Sequence, residues 1–123
     1  MTDNLTQSRF LSMLGRLLVY ADLKDIKVIC SSYIRTAEQQ AELYKIGRRG
    51  IPGEQPITTC DGGARISRHQ TKTAIDLNVI DDQGNGAYDQ QPYLTLGKYW
   101  EGIGGIWGGS WASSPEHWHF DLR

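Results

Sequence analysis

A chain of 123 residues with 39% hydrophobic and 22% charged residues has the composition of one folded domain and not that of a disordered polypeptide. Thirteen basic residues nearly balance fourteen acidic ones, so the formal net charge of −1 indicates no basic surface for a nucleic acid. The N-terminus has no basic stretch leading into an apolar run, and no apolar run is long enough to span a bilayer. We therefore expect a single domain over residues 1–123 that is made in the cytoplasm without a signal peptide, does not insert into a membrane, and keeps Cys30 and Cys60 as free thiols.

The first part of the chain predicts a helix, a strand and a second helix. The β-branched segment Ile26–Tyr33 has the composition of a strand. Thr36 and Gln39 have the spacing of a capping box that starts a helix, and Gly47 is placed to end it through a left-handed cap. The first helix has one apolar stripe, formed by Phe10, Leu11, Leu14, Leu17, Leu18 and Ala21. The second helix has four residues that we expect to face the core: Ala37, Ala41, Leu43 and Tyr44.

The second part predicts a long loop, two strands and a third helix. Residues 47–66 contain five glycines and two prolines and few apolar residues, which is typical of a loop, and we expect this loop to border the functional site. Strict alternation over Ala74–Ile80 predicts a strand whose apolar face points away from Asp76. A third helix is predicted over Tyr93–Ile103, and a last strand over His117–Leu122. The acidic turn from Asp81 to Asp89, between the strand Ala74–Ile80 and the third helix, lacks the ligand spacing of a calcium loop and predicts a polar hairpin instead.

All three histidines fall in two short segments that each have a carboxylate nearby. Alternation along the last strand places His117, His119 and Asp121 on one face. Zinc hydrolases hold the metal with three histidine or carboxylate ligands and leave a fourth position open for water. His69, Asp76 and His119 could supply that set. Each of the three could equally be an ordinary solvated or hydrogen-bonded side chain. The spacing therefore leaves open whether they are zinc ligands or ordinary polar residues.

Two more charged residues could serve such a site. A metal hydrolase needs a base that takes a proton from water and returns it to the leaving amine, and Glu116, three residues before His119, is the candidate. Arg35, at the junction of the first strand and the second helix, could reach a substrate carbonyl or carboxylate. A surface ion pair explains Arg35 equally well.

Several segments together carry a resemblance to one enzyme family. Ser67-x-His69, Ala74-x-Asp76 and Glu116-His117-Trp118-His119 resemble the SxHxxGxAxD and ExWH metal-site signature of the VanY-like zinc carboxypeptidases and endolysin peptidases of clan MD. The segment from Ser32 to Thr36, followed by Glu38-Gln39, is similar to the Arg-Thr and Gln-rich helix start of that family. Gly105–Trp111 and His119–Leu122 are similar to the WGGDW and HFEL stretches of phage endolysins. This chain departs from the pattern in two places, with Lys72 in place of a glycine and Ser110 in place of an acid.

The resemblance implies an α+β fold, a small antiparallel sheet flanked by helices with a zinc site in an open cleft. The roles that it implies are zinc ligation by His69, Asp76 and His119, general base catalysis by Glu116, and binding of the substrate or oxyanion by Arg35. Ser67 is expected beside the ligands, and we count it as a substrate contact. We also count His117 as a substrate contact, although its side chain could instead hydrogen-bond a neighbouring carboxylate.

The predicted function is hydrolysis of peptidoglycan stem peptides, as an L-alanyl-D-glutamate endopeptidase of the endolysin type. A D-alanyl-D-alanine carboxypeptidase is the alternative within the family. A zinc-stabilised module that binds the cell wall without catalysis is the alternative of another class, and a structural domain without zinc is the third. The absence of a signal peptide favours a phage or prophage lysis enzyme that is released through a holin. We expect it to act as a monomer on the bacterial cell wall.

Overall fold

Three helices pack around one small antiparallel sheet in the computed structural model, which describes residues 4–123. The elements in chain order are α1 Asn4–Leu23, β1 Lys27–Ser32, α2 Ala37–Lys45, β2 Ala74–Ile80, α3 Gln91–Gly102, β3 Ile106–Trp107, a 3-10 turn Gly108–Ser110 and β4 His119–Asp121. The strand order is β1-β2-β4-β3, and every neighbouring pair is antiparallel. This architecture confirms the predicted α+β fold. Residues 1–3 lie outside the described part of the chain, and both the absence of a signal peptide and the single domain over residues 1–123 stay predictions.

The core forms where α1 and α3 cover one face of the sheet. The ring of Trp100 from α3 is fully buried and meets Phe10 of α1 and Phe120 of β4 edge to face. The buried residues of α1 are Phe10, Met13, Leu14, Leu17 and Ala21. The predicted stripe was too wide, because Leu11 and Leu18 are exposed and Met13 contributes instead. α1 therefore packs against the core through a narrower apolar stripe than the one predicted.

The predicted start and end of α2 are confirmed, but its predicted core face is wrong. Thr36 and Gln39 form the reciprocal capping box, and Gly47 follows the helix with a φ of 82°. Ala37 is exposed and the other three apolar residues are only half-buried. The buried residue of α2 is the polar side chain of Gln40. α2 therefore packs on the long loop through hydrogen bonds and not on the apolar core.

The last strand is shorter than predicted because a turn precedes it. The backbone N–H of His119 donates to the carbonyl of Glu116 at 3.1 Å, so the chain enters β4 from a turn and residues 116–118 do not share its alternation. Phe120 and Leu122 are buried as expected, whereas Trp118 is 39% exposed. The prediction of a strand over His117–Leu122 was wrong at its start for this reason.

The remaining connections follow the predicted pattern. Residues 46–73 contain no helix or strand, and the acidic turn after β2 closes as a hairpin in which Ile80 bridges to Gly86. Cys30 and Cys60 are both free thiols. Within residues 4–123, none of the helices combines the length and the apolar character that crossing a bilayer would require.

Candidate metal centre

Two histidines and one aspartate that are distant in sequence converge beside the middle of the sheet. His69, Asp76 and His119 are all buried, and each offers one ligand atom within 4.8 Å of the other two. His69 Nε2 lies 3.2 Å from Asp76 Oδ1, and His119 Nδ1 lies 3.1 Å from the same oxygen. Two atoms that each lie about 2.0–2.1 Å from a tetrahedral zinc ion are about 3.3 Å apart. The donor types and their separations therefore fit a zinc site.

The sheet register and one turn bring these side chains together. Asp76 of β2 stands directly opposite His119 of β4 in the antiparallel pair, so both side chains project from the same face. His69 lies in the turn that leads into β2, and its carbonyl accepts the backbone N–H of Arg35 at 3.1 Å. This bond ties the turn to the end of β1, which is the other neighbour of β2.

Hydrogen bonds on the far side of each ring fix which nitrogen faces Asp76. His69 Nδ1 lies 2.8 Å from the carbonyl of Tyr33, which can only accept, so Nδ1 carries the proton and Nε2 is free to bind a metal. His119 Nε2 lies 2.8 Å from Asp121 Oδ2, and the same reasoning places a proton on Nε2 and leaves Nδ1 facing Asp76. Each ring therefore keeps the proton on its outer nitrogen, and its inner nitrogen is the one that can bind a metal once any proton on it is displaced.

The pKa values of Asp76 and His119 are shifted by the groups that surround them. Burial acts to raise the pKa of Asp76, but hydrogen bonds from His119 and His69 outweigh it and lower that pKa to about 2. Burial opposes a charge on His119, but hydrogen bonds to Asp121 and Asp76 raise the pKa of His119 to about 9. A proton on His119 thus supplies positive charge between two buried carboxylates. A divalent cation would supply it in the proton's place.

Glu116 lies at the edge of this group with access to solvent. Its Oε1 is 4.0 Å from His119 Nδ1, and its side chain is 33% exposed. Burial raises the pKa of Glu116 above its usual value, the positive charge of His119 opposes the shift, and the negative charge of Asp76 adds to it. A carboxylate with a raised pKa is a better proton acceptor and donor near neutral pH. The 3-10 turn fixes its backbone, because Glu116 donates its N–H to the carbonyl of Gly108, where a Cβ would collide with Glu116.

Arg35 lies beside Oδ2 of Asp76, whereas the two imidazoles lie beside Oδ1. Its Nη2 is 3.6 Å from Asp76 Oδ2, and its side chain is 19% exposed. Its Nε donates to Ser32 Oγ at 3.2 Å, and its Nη1 donates to Gln40 Oε1 at 3.0 Å. The guanidinium is therefore held beside the candidate metal site with N–H groups to spare for another acceptor.

Ser67 and His117, which were both predicted to contact the substrate, lie in different surroundings in the structure. Ser67 is buried, and its Oγ accepts the backbone N–H of His69 at 3.2 Å, so it shapes the turn that carries this candidate ligand. The imidazole of His117 stands edge-on to the ring of Trp107, and the predicted common face for His117 and His119 is wrong because residue 117 precedes β4. Substrate contacts of these two residues stay predictions. Trp111 lies beside the candidate metal site, with its ring centroid 5.0 Å from that of His119.

Two residues of the site were missed as functional candidates. Asp121 is fully buried and orients His119, and the alternation of β4 already placed it on the same face. Gln40 is fully buried beside Arg35, and no pattern in the sequence indicates that it is buried. Its burial depends on how the long loop folds over α2.

The two departures from the signature have local explanations. Lys72 adopts a φ of 63°, so the turn keeps the left-handed backbone that a glycine would adopt, and the exposed side chain points away from the packed interior. Ser110 Oγ donates to Glu101 Oε2 of α3 at 2.7 Å. A carboxylate is therefore present beside position 110, although it comes from a different element.

Solved structures with this fold include two peptidases. One is described as the L-Ala D-Glu endopeptidase ChiX of Serratia marcescens, with 20% identity, a TM-score of 0.64, and coverage of 94% of this chain and 79% of that chain. The other is a mutant of the vancomycin resistance D,D-pentapeptidase VanY from a VanB-type resistance cassette in complex with Zn(II), with 23% identity, a TM-score of 0.67, and coverage of 93% and 70%. At these identities the likeness establishes a shared fold. No curated protein matches the chain.

A family match extends the likeness from fold to sequence. Residues 61–122 match the Peptidase_M15_4 family, described as D-alanyl-D-alanine carboxypeptidase. The match covers half of the chain and includes the turn of His69, strands β2 and β4, and Glu116. It confirms the predicted resemblance and the prediction of a peptidase, and the buried His-Asp-His group agrees with the predicted zinc cofactor. This chain belongs to the Peptidase_M15_4 family of peptidases.

Proposed function

We propose that this chain is a zinc-dependent peptidase that hydrolyses a peptide bond in the stem peptides of peptidoglycan, with the L-alanyl-D-glutamate bond as its preferred target. The observation that carries the proposal is the convergence of His69, Asp76 and His119 on one buried point. Family membership and the two peptidases that share the fold support it. The cell wall is accordingly the proposed place of action.

The proposed ligands are His69 Nε2, one oxygen of Asp76 and His119 Nδ1. A zinc ion held by three such ligands lowers the pKa of a bound water to about 7 and polarises a carbonyl group. Glu116 accepts a proton from the attacking water and delivers it to the leaving nitrogen, for which its solvent access and raised pKa are suited. Arg35 donates hydrogen bonds to the oxygen of the scissile carbonyl as negative charge develops there.

The first experiment tests catalysis and the scissile bond together. The zinc-loaded protein is incubated with purified muropeptides, and the new termini are identified by mass spectrometry. New N-terminal glutamate supports the L-alanyl-D-glutamate endopeptidase, whereas release of D-alanine supports the alternative, a D-alanyl-D-alanine carboxypeptidase. The family description and the VanY neighbour favour that second candidate. Intact muropeptides after incubation with zinc-loaded protein would contradict both.

A second experiment separates an enzyme from a zinc-stabilised wall-binding module. Glu116→Gln should lower turnover by about 10²–10⁴-fold while the bound zinc stays at one ion per chain, because Glu116 is a proton carrier and not a ligand. Glu42→Gln, an exposed carboxylate of α2 paired with Lys45, is the matched control and should keep full activity. Unchanged turnover in Glu116→Gln would remove this residue from the mechanism.

A further inference from the structure

The amide of Gln40 lies between Arg35 and the long loop. This side chain is fully buried, although it belongs to a helix whose apolar residues are not. Its Oε1 accepts from Arg35 Nη1 at 3.0 Å, and its Nε2 donates to Thr58 Oγ1 at 3.2 Å and to the carbonyl of Cys60 at 2.9 Å. The acceptor thus faces the guanidinium and both N–H groups face the loop. The amide has only this orientation available, because the carbonyl of Cys60 cannot donate.

The loop segment that Gln40 binds is itself connected to the turn of His69. Gly62 packs so closely on α2 that a Cβ would collide with the carbonyl of Ala37, and its φ of 90° suits only glycine. Gln70 donates from Nε2 to the carbonyl of Gly62 at 3.1 Å and accepts the N–H of Ser67 on Oε1 at 3.0 Å. Hydrogen bonds therefore connect Arg35 to the loop at Cys60 and the loop at Gly62 to the turn that carries a proposed ligand, and the backbone from Cys60 to Gly62 joins the two sets.

Arg35 depends on this arrangement for its position. Of its described partners, Ser32 holds only Nε, and Asp76 lies 3.6 Å from Nη2, beyond good hydrogen-bond distance. Gln40 makes the shortest of these contacts to the guanidinium, at Nη1. A free arginine side chain samples many rotamers. If the side chain is held in one rotamer before the substrate binds, less conformational entropy is lost when the transition state forms.

We propose that Gln40 is a positioning residue that holds the guanidinium of Arg35 in its productive orientation and anchors that orientation to the loop over residues 58–62. This inference rests on the proposed role of Arg35 in peptide hydrolysis. Gln40 itself does not touch the substrate. A loss of its amide should lower turnover through Arg35 and leave the zinc site intact.

The test is a double-mutant cycle measured as kcat and KM on muropeptides with zinc-loaded protein. Arg35→Ala should lower kcat by about 10²–10³-fold, as the loss of an oxyanion donor does. Gln40→Met, which keeps the length of the side chain and removes its hydrogen bonds, should lower kcat by about 10–100-fold. In the Arg35→Ala background, Gln40→Met should have no further effect on kcat beyond about twofold. Zinc content should stay at one ion per chain in all variants.

The controls separate positioning from simple loss of structure. Gln55→Met removes an exposed amide from the same loop and should leave kcat and KM unchanged. If Gln40→Met does not fold, Thr58→Val removes one of the two contacts of Gln40 with the loop, together with the hydrogen bond that Thr58 Oγ1 accepts from the N–H of Cys60. Its smaller fall in kcat should likewise vanish in the Arg35→Ala background.

Two outcomes would overturn the inference, and they differ in what else they refute. If Gln40→Met or Thr58→Val lowers kcat by the same factor with and without Arg35, the residue acts independently of Arg35 and only this inference is wrong. If Arg35→Ala leaves kcat unchanged, the proposed role of Arg35 falls together with the inference.

Discussion

Replacing Asp121 by asparagine tests whether the far side of His119 controls metal binding. The substitution keeps the shape of the side chain and removes one negative charge from a fully buried position. In the native chain, Oδ2 accepts the Nε2–H of His119 at 2.8 Å, while Oδ1 is buried without a hydrogen bond and lies 3.4 Å from Arg123 Nε. An asparagine must therefore place either its oxygen or its NH₂ group towards the imidazole.

Both orientations weaken the metal site. With the oxygen towards His119, the NH₂ group occupies the place of Oδ1, where it has no acceptor and faces the cation of Arg123. With the NH₂ group towards His119, the imidazole must accept on Nε2 and carry its proton on Nδ1, which then has no lone pair for a metal. Loss of such an outer carboxylate typically weakens metal affinity about 10–100-fold. This corresponds to about 1.4–2.8 kcal/mol.

The assay is competition for zinc with a chromophoric chelator, with folding checked by circular dichroism. Asp22→Asn is the matched control, because Asp22 is an exposed carboxylate of α1, far along the chain from every proposed ligand. We expect weaker zinc binding in Asp121→Asn and native affinity in Asp22→Asn. Equal zinc affinity for Asp121→Asn and the native chain would refute the reasoning about the tautomer of His119.

Three further predictions concern stability and are measured by chemical denaturation. Lys72→Gly should raise the free energy of unfolding by about 0.5–1 kcal/mol. A left-handed backbone costs a lysine about 1–2 kcal/mol, and the added freedom of glycine in the unfolded chain offsets part of that gain; a destabilised variant would contradict this prediction. Gly97→Ala should lower the free energy of unfolding by about 1–3 kcal/mol or more, since a Cβ there would overlap the ring of Trp107 in the core, and unaltered stability would show that the ring can move aside. Thr36→Ala should cost about 1 kcal/mol through loss of the helix cap, with Thr36→Ser as the control that retains it.

Local patterns in the sequence predicted the elements whose formation depends on neighbouring residues. The capping box of Thr36 and the alternation over Ala74–Ile80 were both found as predicted, because each depends on hydrogen bonding or side-chain direction within a few residues. The spacing of His69, Asp76 and the residues around Glu116 likewise carried the family resemblance that the match over residues 61–122 confirms.

Predictions failed where burial depends on what another segment covers. Leu11 is exposed and Gln40 is buried, although hydrophobicity predicts the reverse, because the loop after α2 covers one residue and nothing in the described chain covers the other. The error at His117 has the same origin. The alternation of His117 with His119 is interrupted by the turn before β4, and Glu116 in this turn bonds to the carbonyl of Gly108, eight residues earlier in the chain.

The sequence by itself determined the family, the order of the main elements and the residue types that suit a zinc ion. Only the tertiary structure decided which of these residues meet, because the register of β2 on β4 sets Asp76 opposite His119. It also decided what surrounds them, since the carbonyl of Tyr33 and the carboxylate of Asp121 select the ring nitrogens that face inward. These contacts join residues up to 43 positions apart along the chain, and no periodicity in a sequence specifies such pairings before the chain has packed.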